Sequence, residues 1–215
     1  MNNPNAAPFF SVIICTYNRA HLLPRALDSL LAQTETDWEA IIVDDGSTDG
    51  TEEVIQHYCP RYPNFSTVYH TNHGLVYSRN VGINLAKGRF VTILDSDDYY
   101  LLNHLELRKN ILTKNHTIDF LHGGVEIIGD PFVPDRHNPR NMIHLQDCVV
   151  GGTFCIKRQV LLSLGGFPNG DYGTDAALFE QALQQNNIII EHTNLSTYVY
   201  VRTEPDSMCN LATAS

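Results

Sequence analysis

The chain has 215 residues, 43% of them apolar, and its 24 acidic and 14 basic residues give a formal net charge of −10. A chain of this length and composition can fold around one sizeable core. The net charge argues against a nucleic-acid-binding face, which needs clustered basic residues, and against an anchor held on anionic lipid by charge alone. No apolar run approaches the roughly 20 residues that cross a bilayer.

Cysteine usage and the first residues predict a cytoplasmic protein. The number of cysteines, five, is odd, and none of them forms a C-x-x-C pair, which favours reduced thiols. They are Cys15, Cys59, Cys148, Cys155 and Cys209. The segment MNNPNAAP at residues 1–8 has neither a basic part nor an apolar part, so we expect no signal peptide.

The first hundred residues alternate between strand and helix patterns. Residues 9–15 are an apolar, β-branched run typical of a strand that is covered on both faces. Further strands are predicted at 40–43, 65–70 and 90–94, and helices at 22–31, from Asp49 onward and at 75–86. This alternation predicts right-handed βαβ units and a mostly parallel sheet flanked by helices.

The second half of the sequence is less regular. Helices are predicted at 101–113 and 174–185, and short strands at 118–122, 125–129, 188–190 and 198–201. Residues 130–147 contain three prolines and little periodicity. We therefore predict a long loop there, and a loop of this length in a compact domain is usually functional or mobile.

Two acidic clusters follow predicted strands. Asp95-Ser96-Asp97-Asp98 comes directly after 90–94, and Asp44-Asp45-Gly46-Ser47 directly after 40–43. Ligands of parallel sheets bind at the carboxyl ends of the strands. Closely spaced carboxylates repel one another, and a divalent cation such as Mg²⁺ or Mn²⁺ relieves that repulsion. Taken singly, each cluster is equally typical of a solvated turn that leads into a helix.

Several motifs with a known chemistry are absent from the sequence. There is no G-x-G-x-x-G after the first strand, no G-x-x-x-x-G-K-[ST] and no G-x-S-x-G. Their absence argues against dinucleotide, P-loop and serine-hydrolase sites of the usual kind. None of the ten histidines stands in an H-E-x-x-H motif, although His73, His122 and His192 are the most open to a chemical role.

Four ordered segments resemble the family 2 glycosyltransferases, which are inverting, nucleotide-sugar-dependent enzymes of the GT-A fold. The segments are SVIICTYNR at 11–19, IIVDDGSTDGT at 41–51, SRNVGINLAKGRFVTILDSDD at 78–98, and GGF with GTDAALFEQAL between 165 and 183. The resemblance covers residues 10–202. It implies an α/β, Rossmann-like GT-A fold in a single domain at 9–205, with a nucleotide-binding half at 9–100 and an acceptor-binding half at 101–205. Residues 1–8 are expected to be disordered and 206–215 frayed.

The resemblance also implies roles for individual residues. The residues it places at the nucleotide are Thr16, Tyr17, Asn18, Asp44, Asp45, Arg79 and Asp97, with Asp45 accepting a hydrogen bond from the base. It makes Asp98 the direct ligand, and Asp97 a further ligand, of a Mn²⁺ or Mg²⁺ cofactor. It places Asp95, Gly151 and Gly152 around the donor sugar and the acceptor.

Asp175 matches the acid that serves as general base in the family. Many members have Glu-Asp at this point, whereas this chain has Thr174-Asp175, so the supporting carboxylate is missing. Asp175 would remove the proton from an acceptor hydroxyl during a single displacement that inverts the anomeric centre. Taken alone, an acid here is also typical of a helix N-terminus.

The sequence thus predicts transfer of a sugar, with UDP as the expected carrier, to a saccharide or lipid-linked acceptor. Arg136, His137 and Arg140 are candidates to meet an anionic acceptor, although a solvated polar loop is the simpler explanation. Two alternatives stay open: a Mg²⁺-dependent nucleotidyl or phosphoryl transferase, and a degenerate sugar-nucleotide-binding protein, which Thr174 favours. Contact with the inner face of the membrane and a homodimer are also left open, and no nucleic-acid partner is expected.

Overall fold

Twelve strands and six α-helices are found in residues 7–138 and 140–203, the part of the chain that this computed structural model describes. The strands are β1 (Phe10–Thr16), β2 (Trp38–Asp44), β3 (Phe65–Tyr69), β4 (Phe90–Ile93), β5 (Tyr99–Tyr100), β6 (Phe120–His122), β7 (Val125–Gly129), β8 (Phe132–Pro134), β9 (Met142–His144), β10 (Cys155–Lys157), β11 (Ile190–His192) and β12 (Tyr198–Arg202). The helices are α1 (Leu23–Leu31), α2 (Thr51–Tyr58), α3 (Leu75–Leu85), α4 (His104–Lys114), α5 (Arg158–Ser163) and α6 (Thr174–Leu183). The predicted disorder at 1–8 falls mostly outside the described residues, and the predicted frayed tail at 206–215 and Cys209 fall wholly outside them.

Seven strands form one central sheet in the order β11-β6-β10-β4-β1-β2-β3. β1 pairs in parallel with both β2 and β4, and β2 pairs in parallel with β3. The crossover helices between these strands are α1, α2 and α3. The predicted mostly parallel sheet flanked by helices is confirmed. β10 runs antiparallel to both β4 and β6, which the periodicity of the sequence did not reveal.

Both faces of the central sheet are buried. Along β1, Phe10, Val12 and Ile14 join one hydrophobic cluster, while Ile13 and Cys15 join the other, because successive side chains of a strand point to opposite faces. Residues of α1, α2 and α4 complete the first cluster, and residues of α3, α5 and α6 the second. This double burial explains why β1 is almost continuously apolar.

The predicted loop at 130–147 is wrong, because part of it forms a small hairpin. β8 and β9 pair antiparallel, and Val133 on β8 belongs to the core. The Tyr172 hydroxyl donates a hydrogen bond to the Pro134 carbonyl (2.9 Å), which ties the hairpin to the segment before α6. Proline cannot donate to a sheet ladder, and Pro134 stands at the end of a three-residue strand where it needs no such bond.

A third sheet has the order β5-β12-β7 and brings the last described strand back to the centre of the molecule. Tyr99–Tyr100 pair with β12, so α4 begins at His104 and not at residue 101 as predicted. The four cysteines in the described part of the chain are free thiols, as the sequence predicts. No helix among residues 7–138 and 140–203 is both long and apolar enough to span a bilayer.

Candidate active site

A cavity of about 380 Å³ lies where the carboxyl ends of β1 and β4 meet the start of α6. Eight predicted site residues line it: Thr16, Tyr17, Asp45, Arg79, Asp95, Asp97, Asp98 and Asp175. The other four predicted residues, Asn18, Asp44, Gly151 and Gly152, are described by the structure but are not among the lining residues. Residues predicted to bind the nucleotide and the residue predicted to be the general base therefore line the same cavity.

Asp45 forms part of the cavity wall and organises the loop after β3. Its carboxylate accepts hydrogen bonds from the backbone amides of His73 (2.7 Å) and Gly74 (2.9 Å). The ring of His70 lies 3.3 Å from the same carboxylate. A carboxylate has about four acceptor positions, so Asp45 keeps capacity for a further donor on a side chain that lines the cavity.

Thr16 carries a buried hydroxyl that the fold does not use. Thr16 is 3% exposed, and no hydrogen-bond partner among the described residues reaches its Oγ1. Burying a hydroxyl without a partner is unfavourable, and this residue lines the cavity. Tyr17 beside it is 46% exposed. A hydroxyl next to an accessible ring suits a planar heterocycle, which can stack on an aromatic side chain.

Asn18 and Asp44 support the site from outside the cavity. Asp44 Oδ1 accepts a hydrogen bond from the Ser47 amide (2.9 Å), which closes the turn after β2. Asn18 Oδ1 accepts a hydrogen bond from the backbone amide of Thr48 (2.7 Å), and the backbone amide of Asn18 donates one to the Ser47 hydroxyl (2.9 Å). These bonds join the loops after β1 and β2. Asn18 and Asp44 therefore hold these loops, and their predicted places at the nucleotide stay predictions.

Asp98 is held by β12. The Tyr198 hydroxyl donates to Asp98 Oδ2 (2.5 Å) and the Val201 amide donates to Oδ1 (2.7 Å). Burial, and then the charges of Asp97 and Asp95, raise the pKa of Asp98 well above its usual range, although the two hydrogen bonds act in the opposite direction. Asp98 therefore uses one acceptor position on each oxygen within the fold.

Asp97 is the more accessible of the two adjacent carboxylates, since Asp98 is only 2% exposed. Burial, and then the charge of Asp95, raise the pKa of Asp97 to about 6, and the charges of Arg19 and Arg25 partly offset this rise. The guanidinium of Arg25 also donates to the Asp97 carbonyl, which fixes the backbone of the acidic turn.

The acidic turn fits a divalent cation by its chemistry, but it does not form a complete ion site. Among the described residues, no group of three or more His, Cys, Asp or Glu side chains could hold a metal ion. Asp97 and Asp98 are oxygen donors that line one cavity and disfavour each other's charged form, and a cation would relieve this repulsion. Mg²⁺ commonly takes one or two carboxylates together with substrate phosphates and water.

Asp175, in the first turn of α6, is held by two donors. Arg79 Nη1 donates to Oδ1 (2.7 Å) and the Gly151 amide donates to Oδ2 (3.0 Å). The Asp175 side chain is 26% exposed, so part of it remains open to the cavity. A Cβ atom at Gly151 would lie 2.5–2.6 Å from this carboxyl group. The Gly151 amide therefore orients Asp175, and its predicted place around the donor sugar and the acceptor stays a prediction.

Gly152 makes room for Tyr198 and so acts on the site indirectly. A Cβ atom at Gly152 would lie 2.0–2.3 Å from atoms of the Tyr198 ring and hydroxyl, and Tyr198 is fully buried. Because the Tyr198 hydroxyl holds Asp98, Gly152 supports the acidic turn through packing, and its predicted place around the donor sugar and the acceptor stays a prediction.

Sequence reasoning missed several residues of the cavity wall, including Asn72, Asp171, Tyr172 and Tyr200. Asp171 and Tyr172 stand just before Asp175 in the sequence, and this proximity was a usable signal. Asn72 follows β3 as Asp45 follows β2, so the same reasoning about strand ends could have found it. Tyr200 lies on β12, and nothing in its local sequence points to the cavity.

The chain matches the family model described as "Glycosyl transferase family 2" over residues 11–160. It belongs to this family. The enzyme is 32% identical over 184 residues to an Escherichia coli protein named UDP-Glc:alpha-D-GlcNAc-diphosphoundecaprenol beta-1,3-glucosyltransferase WfgD, with 83% of this chain and 71% of WfgD covered. It is also 32% identical to the putative teichuronic acid biosynthesis glycosyltransferase TuaG of Bacillus subtilis, with 68% of this chain and 61% of TuaG covered.

Solved structures share the fold of this family 2 glycosyltransferase. TarS 1–349 of S. aureus, solved in complex with UDP-GlcNAc, has a TM-score of 0.75 and 26% identity, with 93% of this chain and 60% of the TarS chain covered. The mannosyltransferase PcManGT of Pyrobaculum calidifontis has a TM-score of 0.70 and 22% identity, with 95% and 59% covered. The second likeness shows the fold alone. The predicted GT-A fold is confirmed, and the chain spans about three fifths of both solved chains.

Proposed function

We propose that this family 2 glycosyltransferase transfers a sugar from a UDP-sugar to a hydroxyl group of a lipid-linked or polysaccharide acceptor, with inversion of the anomeric centre. The observation that carries the proposal is one cavity lined by Thr16 and Asp45, by the acidic turn and by Asp175. The name of WfgD gives UDP-Glc as donor and a diphosphoundecaprenol-linked acceptor, and TarS was solved with UDP-GlcNAc. Both relatives support UDP as the carrier.

The wall formed after β1 and β2 would bind the uracil. Uracil carries an N–H donor between two carbonyl acceptors, so it needs an acceptor and a donor from the protein. Asp45 keeps acceptor capacity, and the Thr16 hydroxyl is without a partner among the described residues. Tyr17 offers an accessible ring for stacking. Together these groups complement the edge and one face of the base.

Asp97 and Asp98 would hold a Mn²⁺ or Mg²⁺ ion. When bound, such a cation neutralises the charge that grows on the departing nucleoside diphosphate. The chain itself keeps the two carboxylates together, because Tyr198 and Val201 hold Asp98 while Arg25 holds the backbone at Asp97. The fold relative PcManGT was solved with GDP-Man and Mn²⁺, which is consistent with a cation in this fold.

Asp175 would be the general base for the acceptor hydroxyl. Each of its oxygens already accepts one hydrogen bond, which fixes the carboxylate plane and leaves further lone pairs for the acceptor proton. Burial raises the pKa of the Cys15 thiol to about 12, so this cavity-lining cysteine stays protonated and is a poor nucleophile. A direct displacement by the activated hydroxyl needs no covalent intermediate and inverts the anomeric carbon.

The hairpin of β8 and β9 would border the acceptor side. The Arg136 side chain packs on Gly173, where a Cβ atom would lie 2.6 Å from Arg136 Cδ. The Arg136 guanidinium pairs with Glu180 on α6 (3.0 Å), and Tyr172 bonds to Pro134. The hairpin is therefore attached to the helix that carries Asp175. Contact with a membrane surface and dimerisation stay predictions.

Calorimetric titration with UDP, in the presence and absence of Mn²⁺, tests donor binding. We expect Mn²⁺ to strengthen binding by at least about tenfold, and Asp97→Asn to remove most of that gain. Asp119→Asn is a matched control, because Asp119 pairs with Lys157 and neither residue lines the cavity. Mn²⁺-independent UDP binding by the unchanged protein would contradict the metal assignment.

A transfer assay tests the reaction. The protein is incubated with a panel of UDP-sugars and a short-chain prenyl-diphosphate-linked GlcNAc acceptor, and both UDP release and the configuration of the new linkage are measured. Acceptor-dependent UDP release with inversion supports the proposal. Firm UDP binding without release, across all donors and acceptors, would instead favour a degenerate binding protein. Transfer of a nucleotidyl or phosphoryl group would favour a nucleotidyl or phosphoryl transferase.

A further inference from the structure

Arg79 is a buried guanidinium with a carboxylate at each terminal nitrogen. It lies in α3 and is 3% exposed. Its Nη1 donates to Asp175 Oδ1 (2.7 Å) and its Nη2 donates to Asp95 Oδ1 (2.8 Å). The guanidinium carbon lies 4.9 Å from the centre of the Phe167 ring. Arg79 therefore joins α6 to the turn after β4, a role that its predicted contact with the nucleotide does not explain.

The charge balance around Arg79 is tight because the group is buried. Burial alone would lower the pKa of Arg79, but the charges of Asp95 and Asp175 raise it above its usual range. A buried charge that loses its partner is strongly destabilising. Arg79 therefore needs both carboxylates, one at each of its terminal nitrogens.

From this geometry we infer that Arg79 is the positioning residue of the general base, and that Asp95 supplies the second carboxylate that Thr174 does not. The inference rests on the proposed role of Asp175. Arg79 fixes one oxygen of the base and Gly151 fixes the other, while Asp95 fixes the guanidinium from the opposite side. The base is thereby tied to the acidic turn at which the donor would bind.

The charged groups near Asp175 come from several elements. Arg79 belongs to α3, Asp95 to the turn after β4 and Asp171 to the segment before α6. Arg136 of the β8–β9 hairpin packs on Gly173. Arg79 is the one bonded to the Asp175 carboxylate, so its replacement should act most directly on the base.

The test compares Arg79→Gln and Arg79→Lys with Arg108→Gln. Arg108 is another fully buried arginine, and its guanidinium bonds to Thr197 and Gly123. We expect Arg79→Gln to lower kcat about 100-fold through misplacement of the base, while UDP affinity changes by less than about threefold. The acidic limb of the kcat–pH profile should move to higher pH, because the cation that favours the charged base is gone.

The two comparison variants separate positioning from general stability. Lysine keeps the charge but not the fork of donors, so Arg79→Lys should recover about tenfold of the lost kcat. Arg108→Gln should lower the melting temperature without moving the pH profile. If Arg79→Gln does not fold, Gly151→Ala tests the positioning of Asp175 instead, because its Cβ would displace the Asp175 carboxyl group. We expect kcat to fall about tenfold at unchanged UDP affinity.

Three results would overturn the inference. The first is a folded Arg79→Gln enzyme with wild-type kcat and pH profile, and the second is an unchanged kcat in Gly151→Ala. The third is a loss of UDP affinity in Arg79→Gln as large as the loss of kcat. That result would show that Arg79 binds the nucleotide, as the sequence predicts. In each case an active wild type and an inactive Asp175→Asn enzyme would leave the proposed function standing. A wild type without turnover would remove the proposed function, and this inference with it.

Discussion

The first hundred residues and the rest of the chain both contribute residues to the cavity, but their side chains are positioned in different ways. In the first part, Asp45 and Asp97 reach the cavity because they follow parallel strands, β2 and β4. In the second part, β12 brings Tyr198 to Asp98 across about half the chain, and Gly151 reaches Asp175. The comparison shows that Asp45 and Asp97 reach the cavity through local topology, whereas the way Asp98 and Asp175 are held depends on long-range packing.

The largest effect should come from Asp175→Asn, which removes the proposed base in the second part and leaves the first part intact. We expect transfer to fall about 10³-fold, within the range of general-base catalysis, while UDP affinity is unchanged because the proposal places Asp175 on the acceptor side. Steady-state kinetics and calorimetry on the same preparation measure both. If the variant kept its turnover, the base would be another residue. If the variant lost UDP binding, Asp175 would also contribute to donor binding, and the two parts could not be assigned separate roles.

Gly152→Ala should give the next largest effect, on stability. The added Cβ would meet the fully buried Tyr198 ring at 2.0–2.3 Å, so we expect a loss of about 3 kcal/mol in the free energy of unfolding. Gly50→Ala in the first part is the control, because its Cβ would meet its nearest neighbour at 3.6 Å. Urea unfolding compares the two. Equal stabilities would show that Tyr198 is not packed as described.

Acid should weaken the second part through the buried His104 and the partly buried His122. Burial, and then the neighbouring His192, lower the pKa of His122 to about 4, and burial, and then the charge of Arg108, lower the pKa of His104. An unfolded histidine titrates near pH 6.5. The unfolded state therefore binds more protons as the pH falls from about 6.5 to about 4, and the stability due to His122 is lost over that window.

We expect His122 to account for about 1–2 kcal/mol of this loss, less than the full conversion of its shift because the ring is partly exposed. Urea unfolding at about pH 7.5 and 4.5 measures it. His122→Phe should lose less stability on acidification by this amount, since phenylalanine does not titrate and the centre of the His122 ring already lies 4.6 Å from that of Phe179. An unchanged pH slope in the variant would contradict the assignment.

The smallest effect should come from Thr16→Val in the first part. The hydroxyl has no partner among the described residues, so its removal should leave stability unchanged or slightly raised. If it binds the base, UDP affinity should fall by about 3- to 10-fold, which corresponds to one hydrogen bond of about 1 kcal/mol. Thermal unfolding and calorimetry check the two arms. A loss of stability without a loss of affinity would make Thr16 a structural residue.

The fold class and the residues at the strand ends can be predicted from the sequence alone. The apolar run of β1, and the acidic residues that follow β2 and β4, reveal a parallel sheet and its ligand-binding edge. These features are readable because a buried parallel strand is apolar on both faces and its connections are local. The residues Asp45, Asp97 and Asp175 were all found in this way or through the family resemblance.

How those residues are held depends on contacts that form only in the folded chain. The hairpin at β8 and β9, the antiparallel β10 and the return of β12 depend on pairing between segments that are distant in sequence. For the same reason no local pattern could show that Arg79 joins Asp95 to Asp175, or that Gly151 and Gly152 leave space for Asp175 and Tyr198. Periodicity records which face of an element is buried, but the partner against which it packs is fixed only when the whole chain has folded.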